Sequence, residues 1–182
     1  MVLIRRRNLL AAGGTLAAGL SARKPHAAPS DDLPAKLVPT VPPVPPPDIV
    51  FVDANGAEHS LAEFIGHGMV VNLWATWCVP CVAEMPSLAA LSKALAPDDI
   101  AVLPLSSDRG GARVVEAFYQ QHGITGLPVL LDPKGAAARA WRARGIPTSL
   151  VIDKQGRERA RLEGSADWAT PAAASAVRKL VV

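Results

Sequence analysis

Residues 69–88 read MVVNLWATWCVPCVAEMPSL and contain both cysteines of this 182-residue chain, Cys78 and Cys81. The apolar run over residues 69–74 predicts a buried strand, and the residues after Cys78 have helical spacing. The first cysteine is therefore expected at a turn from strand to helix, where unpaired N–H groups and the helix dipole stabilise a thiolate and lower its pKa. We expect Cys81, one helical turn further on, to be the more buried thiol.

A Cys-x-x-Cys pair is compatible with a metal site, a structural disulfide or redox chemistry. A zinc site needs about four ligands, and the chain has no second Cys-x-x-Cys and no His-x-x-His pair. A structural disulfide across so short a loop removes little entropy from the unfolded chain. Redox chemistry by Cys78 and Cys81 is the best interpretation, with no metal and no cofactor beyond their own disulfide.

Length and charge narrow the classes of function. A chain of 182 residues predicts one domain with appendages. The formal charge of +3 arises near the amino end, because residues 48–182 hold thirteen Lys and Arg against fourteen Asp and Glu. The globular part therefore has no basic excess of the kind that nucleic-acid-binding domains carry.

Residues 1–24, MVLIRRRNLLAAGGTLAAGLSARK, have the basic cluster and apolar segment of an export signal. The apolar segment is shorter than the roughly 20 residues that a membrane-spanning helix needs. Residues 6–10, Arg-Arg-Asn-Leu-Leu, resemble the twin-arginine type of signal, with an ordinary secretory signal as the alternative. Cleavage and retention as a membrane anchor are both compatible with this segment. We expect a periplasmic protein.

Residues 25–48 contain nine prolines and few residues able to build a core. Because proline favours extended polyproline II structure, this composition predicts a semi-rigid spacer. The globular domain is then expected over residues 49–182.

The patterns within residues 49–182 predict alternating strands and helices. A hairpin around Asn55-Gly56 comes first, and Ser60 with Glu63 has the form of a capping box. The remaining predicted elements are a helix to about Leu95 that contains Pro86, a strand over 100–105, a helix over 112–121, a strand over 129–131, a helix over 136–144, a hairpin of strands 149–152 and 157–162, and a helix over 171–180. This order predicts an α/β fold with a mixed sheet covered by helices on both faces.

The motif W-A-T-W-C-V-P-C at residues 74–81, with Glu84, Pro86 and the later Gly-Ile-Pro-Thr at 145–148, resembles the TlpA/ResA-like family of exported thiol-disulfide oxidoreductases. Residues 162–171, LEGSADWATP, are similar to the carboxyl end of the TlpA branch. The resemblance covers about residues 49–182. It implies a thioredoxin-like fold with an amino-terminal β-hairpin extension.

The resemblance also implies roles for individual residues. Cys78 would be the attacking thiol, Cys81 the resolving thiol, and Pro147 a cis proline that faces them. A cis bond before proline is a minority form, about one in twenty in folded proteins, so its surroundings must hold it. The residues that the resemblance implies for contact with substrate are Trp77, Pro80, Ile146 and Thr148.

Two departures from ordinary thioredoxins bear on the direction of electron flow. Asn72 stands where thioredoxins have a buried aspartate. Glu84, three residues after Cys81, neighbours it on the helix face, where a carboxylate disfavours a thiolate and makes the dithiol a better electron donor. A solvated glutamate on the helix surface is the alternative interpretation. The cysteines enclose Val79-Pro80 in place of the histidine that strong oxidants use, which also favours a reductant.

The partners follow from the resemblance. It implies a client protein with a disulfide and a membrane protein that supplies electrons. The clients of the family are assembly proteins for cytochrome oxidase copper sites, which the TlpA-like carboxyl end favours, or apocytochrome c. We expect a monomer that binds no nucleic acid and touches the membrane only if its signal is retained.

Two other functions belong to different classes. A copper-binding assembly protein of the same fold would use Cys-x-x-x-Cys and a distant histidine, whereas His59, His67 and His122 have no clear match and are expected at the surface. A peroxidase of the peroxiredoxin group would need its peroxide-binding pattern, of which Thr76 and Cys78 give only a fragment.

Overall fold

The computed structural model describes residues 33–182, so the predicted export signal lies outside the described residues. In chain order the strands are β1 (Val38–Val44), β2 (Phe51–Asp53), β3 (Glu58–His59), β4 (Gly68–Trp74), β5 (Ile100–Ser106), β6 (Leu130–Leu131), β7 (Thr148–Ile152) and β8 (Glu158–Glu163). The helices are α1 (Leu33–Lys36), α2 (Val79–Leu95), α3 (Ala112–His122), α4 (Ala136–Ala140) and α5 (Pro171–Leu180), with short 3-10 helices at Leu61–Phe64 and Ala96–Asp98.

The strands form one mixed sheet in the order β1-β8-β7-β4-β5-β6-β2-β3. At its centre, β4 pairs in parallel with β5 and antiparallel with β7. Every residue of β4 is buried, as expected for an apolar strand with neighbours on both sides and layers on both faces. The predicted mixed α/β sheet is confirmed.

Alternation along β4 divides the core into two layers. Val70 and Trp74 belong to the layer that includes α2, α3 and α5. Met69 and Val71 point to the other side, where α4 and the first 3-10 helix cover the sheet. Since successive side chains of a strand point to opposite faces, Asn72 lies on the α2 side with Val70 and Trp74. Helices on both faces are thereby confirmed.

Most of the predicted elements are present. The hairpin pairs Phe51 with His59, and the Ser60 N–H donates to the Glu63 carboxylate over 2.8 Å at the start of the 3-10 helix. Helix α2 runs through Pro86 to Leu95 as predicted. Helix α3 ends at His122, and the next residue, Gly123, has a φ of 63°, which suits a residue without a side chain.

Helix α4 is shorter than predicted, because it ends at Ala140 rather than near residue 144. Tertiary contacts of Trp141 account for the difference. Its indole N–H donates to the Pro47 carbonyl over 2.8 Å, and its own carbonyl accepts a hydrogen bond from Arg161 over 3.0 Å. The following residue, Arg142, has a φ of 53°, which no helix can continue.

The prediction of a spacer over residues 25–48 is wrong for the part that begins at Leu33. Leu33 is 1% exposed and Leu37 is 8% exposed, and β1 pairs antiparallel with β8. Prolines are tolerated in β1 because it is an edge strand, where the N–H groups that face away from β8 take no part in the ladder. The Thr40 hydroxyl also donates to Glu158 over 2.8 Å. The domain therefore begins by Leu33, before the expected boundary at residue 49.

Within residues 33–182, no helix combines the length and apolar character that crossing a membrane would require.

Candidate active site

The two cysteines lie at the amino end of α2, joined as a disulfide. Cys78 occupies the N-cap position directly after the loop that leaves β4, and Cys81 lies in the first turn. Cys78 is 6% exposed and Cys81 is fully buried, which confirms that the second sulfur is the less accessible one. Free N–H groups at the start of α2 face the Cys78 side and favour negative charge there.

The segment before β7 faces the cysteine pair. The Ile146–Pro147 bond is cis, as predicted, and Pro147 is buried. The Ile146 carbonyl oxygen lies 3.7 Å from Cys78 Sγ. In the disulfide this sulfur has no hydrogen to donate, so the distance describes a contact that a reduced Cys78 thiol could turn into a weak hydrogen bond.

The residues predicted to contact substrate divide into two groups. Trp77 is 68% exposed, Pro80 is exposed as well, and Ile146 is partly exposed. Thr148, in contrast, is fully buried, and its hydroxyl donates to the Gly145 carbonyl over 2.7 Å. The prediction that Thr148 contacts substrate is therefore wrong for its side chain, which stabilises the turn before β7.

Glu84 lies on α2, one helical turn after Cys81, and is buried with 3% of its surface exposed. One carboxylate oxygen accepts from the Asn72 side-chain amide over 2.9 Å, and the other accepts from the Ala166 N–H over 3.1 Å. The alternative of a solvated glutamate on the helix surface is wrong. Helix α2 and the segment that follows β8 meet at this carboxyl group.

Burial raises the pKa of Glu84 to about 7, because a charged carboxylate loses its hydration there. The hydrogen bonds from Asn72 and Ala166 act against this shift, and so does the indole of Trp168. The Trp168 N–H is itself buried, and its geometry falls short of a hydrogen bond to any group in residues 33–182. Glu84 can therefore exchange a proton near neutral pH.

Asn72 connects the sheet to this carboxyl group. Its amide nitrogen donates to Glu84 and also to the Ser149 hydroxyl, 3.0 Å away on the neighbouring strand β7. Its carbonyl oxygen is buried without a hydrogen bond to any described residue. An amide does not titrate, so the proton-transfer role of the thioredoxin aspartate cannot fall to Asn72, and Glu84 is the titratable member of this cluster.

Asp108 supports the cysteine loop from the other side, a role that our sequence reasoning missed. It is 4% exposed. Its carboxylate accepts from the Thr76 N–H over 2.8 Å and from the Thr76 hydroxyl over 2.7 Å, and the Ser106 hydroxyl donates to it over 2.8 Å. A polar residue just after β5, next to the carboxyl end of the parallel strand β4, is the signal that could have located it.

The three histidines considered for copper lie apart from one another. His59 bonds Glu63, and His67 bonds Asp99, each over 2.8 Å. His122 packs on the Phe118 ring with centroids 4.3 Å apart. In residues 33–182, no group of three or more His, Cys, Asp and Glu side chains is arranged to hold a metal ion.

Comparison with known proteins agrees with this geometry. Residues 44–160 match the model of the AhpC/TSA family, which covers well over half of the chain. The chain belongs to the AhpC/TSA family. Among characterised relatives, the thiol-disulfide oxidoreductase ResA of Geobacillus kaustophilus is 31% identical over 119 residues, which are 65% of this chain and 67% of ResA. The thioredoxin-like protein YneN of Bacillus subtilis is 34% identical over 112 residues, which are 60% of this chain and 64% of YneN.

Solved structures place this AhpC/TSA family member among thioredoxin-like proteins. A structure described as a thiol-disulfide oxidoreductase from Bacteroides vulgatus is 26% identical with a TM-score of 0.64, covering 81% of this chain and 99% of that one. The exposed lipoprotein thioredoxin of Streptococcus pneumoniae is also 26% identical, with a TM-score of 0.59 and coverage of 74% and 100%. With the Cys78–Cys81 disulfide, these relatives identify the protein as an enzyme of thiol-disulfide exchange.

Proposed function

We propose that this enzyme acts outside the cytoplasm as a reductant of disulfides in a partner protein. The observation that carries the proposal is the buried Glu84 carboxyl group, one helical turn after Cys81, with its pKa raised to about 7. A carboxylate at this place opposes formation of a thiolate, and a dithiol whose thiolate is not strongly stabilised is the better electron donor.

The exchange has two steps. Cys78 thiolate attacks one sulfur of the client disulfide, a bond forms between Cys78 and the client, and the other client sulfur leaves as a thiolate that takes a proton from water. Cys81 then loses its proton and attacks Cys78, the Cys78–Cys81 bond forms, and the second client sulfur leaves. Two electrons pass from the enzyme to the client. Glu84, at a position adjacent to Cys81 on α2, is suited to accept the Cys81 proton because its pKa is near neutral.

Small differences in thiol acidity set the direction of this reaction. One pKa unit on Cys78 corresponds to about 1.4 kcal/mol, or about 30 mV for a two-electron couple. Val79 and Pro80, which separate the cysteines, carry no charge that would stabilise the Cys78 thiolate. The uncharged residues between the cysteines and the carboxyl group of Glu84 both favour an enzyme that donates electrons.

We infer the clients and the compartment from the resemblance to TlpA and ResA. The export signal expected in residues 1–24 would bring the enzyme to the periplasm, where a membrane protein must return it to the dithiol state. The first candidate clients are assembly proteins for the copper sites of cytochrome oxidase, favoured by residues 162–171. Apocytochrome c before haem attachment is the second candidate. We expect the enzyme to act as a monomer.

Trapping of the mixed disulfide tests the proposal. In a Cys81→Ser variant the bond between Cys78 and a client cannot be resolved, so a covalent complex sensitive to dithiothreitol should accumulate in the native host. Cys78→Ser is the matched control and should trap nothing. If a folded Cys81→Ser variant captures no protein that contains a paired cysteine, the proposed scheme is wrong.

Parallel assays separate this proposal from the peroxidase alternative. We expect the reduced enzyme to reduce the disulfides of insulin and to consume hydrogen peroxide no faster than an ordinary dithiol. Rapid peroxide consumption with no insulin reduction would favour the peroxidase. Binding of copper by the purified enzyme, measured by titration, would favour the copper-assembly alternative.

A further inference from the structure

A groove lies next to Trp77, the residue that directly precedes Cys78. Trp77, Arg109 and Gly110 line one part of it, and Val114 and Lys134 line the rest. Its volume is about 660 Å³, and it contains the most exposed aromatic ring of the described chain, that of Trp77. Trp77 directly precedes Cys78, so one wall of the groove is formed by the chain neighbour of the reactive cysteine.

The charged groups at the rim of the groove are cations without partners. Neither Arg109 nor Lys134 makes a side-chain ion pair or hydrogen bond within residues 33–182. Arg113, the second residue of α3, lies on the neighbouring surface and makes none within this part of the chain either. The acidic residue of the groove, Asp108, is buried, and Thr76 and Ser106 occupy its oxygens. The groove therefore presents positive charge to solvent.

This local charge is not a property of the whole domain. Residues 33–182 contain fourteen basic and fourteen acidic side chains. Several arginines elsewhere are paired with carboxylates, namely Arg144, Arg157, Arg159, Arg161 and Arg178. A surface on which cations stay unpaired, beside an exposed tryptophan and the reactive sulfur, has the charge and apolar character that complement an acidic segment with an apolar residue.

We propose that this groove selects client segments that carry an acidic side chain close to the cysteine to be reduced. The acidic group lies between Arg109 and Lys134, and an apolar neighbour packs on Trp77. The inference rests on the proposed reduction of client disulfides and adds the chemistry of the client. Membrane headgroups are a poorer match, because the groove lies beside the site where a protein disulfide must enter.

Exposed cations act mainly on the rate at which the enzyme and its client associate. An exposed ion pair adds little binding energy and is screened by salt, so the selectivity should appear in kcat/KM and should weaken as the salt concentration rises. Complementary charges raise association rates at low ionic strength.

Two model peptides, each of which contains a disulfide, test the inference with the full-length enzyme. They share a sequence with an apolar residue next to the cysteine and differ only in two flanking positions, Asp in one and Lys in the other. The readout is the ratio of kcat/KM for the acidic to the basic peptide, in which any change in Cys78 reactivity cancels. We expect the wild-type enzyme to favour the acidic peptide about tenfold at low salt, with the ratio approaching one at high salt.

The test variant is Arg109→Glu with Lys134→Glu, which should bring the ratio below one. The matched control is Lys154→Glu with Lys179→Glu, which makes the same change in net charge. Lys154 lies in the turn after β7, at the end of the sheet opposite Pro147. Lys179 lies in the last turn of α5, near the Val181 side chain that approaches Gly68 at the start of β4. This control should keep a ratio well above one.

Equal reduction of the two peptides by the wild-type enzyme would overturn the inference, and so would a control pair that lowers the ratio as far as the test pair. Insulin reduction is measured beside the peptides. If insulin and both peptides stay oxidised, the proposed function fails and the inference fails with it. If all are reduced without charge preference, the proposed function stands and the inference about the groove alone fails.

Discussion

Asn72 donates its side-chain amide to the Glu84 carboxylate over 2.9 Å, with both groups buried between the sheet and α2. The contact joins the strand that leads to Cys78 and the helix that carries Cys81. It puts a neutral donor where a thioredoxin has an acid, and an acid on the adjacent helix. The titratable group of this site therefore lies on helix α2, whereas that of a thioredoxin lies on the strand.

Replacing Glu84 by Gln should change how stability depends on pH. The pKa of Glu84 is raised from 4.5 to about 7 in the folded protein, so the native state holds a proton that the unfolded chain releases. Stability is therefore fully present below about pH 4.5 and is lost as the pH rises to about 7. A shift of this size corresponds to about 3 kcal/mol for a buried group. Urea unfolding of the oxidised proteins should show that loss in the wild type and not in Glu84→Gln.

The comparison at pH 4 is the internal control for this variant. There the wild-type carboxyl is protonated and resembles the amide of Gln in shape and charge, so the two proteins should differ little. Unfolding free energies that run parallel from pH 4 to pH 8 would contradict the assignment of the raised pKa to Glu84.

Replacing Asn72 by Asp should place two carboxyl groups within hydrogen-bonding distance. Like charges at this separation in a buried site cannot both ionise, so one proton is retained to higher pH. We expect a loss of about 2 kcal/mol or more at pH 8 and a smaller loss at pH 5, measured by urea unfolding.

Ser149→Ala is the control for the Asn72 variant. It removes the other hydrogen bond of the Asn72 amide without adding charge. It should cost about 1 kcal/mol with little dependence on pH. If Asn72→Asp loses no more stability at pH 8 than at pH 5, the two carboxyl groups do not interact as the geometry requires.

Replacing Leu33 by Ala tests the corrected boundary of the domain. Leu33 is 1% exposed within the core cluster that contains the cysteines. Truncation of a buried leucine costs about 2–5 kcal/mol. Val41, which is 84% exposed on β1, should change stability by less than about 0.5 kcal/mol when replaced by Ala. Thermal or urea unfolding would show this difference. If both variants lose equally little stability, residues 33–44 are a spacer and not part of the domain.

The fold was predictable wherever local signals and tertiary contacts agree. The apolar run that forms β4 and the helix from Val79 to Leu95 needed no information beyond hydrophobic pattern. The prediction for residues 38–44 was wrong because their proline content indicates an extended chain without partners. In the folded protein this extended chain pairs with the edge of β8 and becomes strand β1. Helix α4 was predicted too long because the contacts that stop it, those of Trp141, join residues far apart in sequence.

The site divides in the same way. The cysteines, the cis bond before Pro147 and the position of Glu84 could be predicted from the sequence motifs. The burial of Glu84 could not, because it depends on the segment around Ala166, which returns to α2 only in the folded chain. Thr148 was assigned to substrate because it follows Pro147, but the strand alternation turns its side chain inward.

The reduction potential of the Cys78–Cys81 couple tests the central claim, that this enzyme is an electron donor, most directly. The full-length enzyme would be equilibrated in dithiothreitol redox buffers, and its free thiols would be alkylated and counted by mass spectrometry. We predict a potential near that of thioredoxin, about −270 mV, and in any case below about −220 mV. A potential near −120 mV, the value typical of strong periplasmic oxidants, would contradict the account.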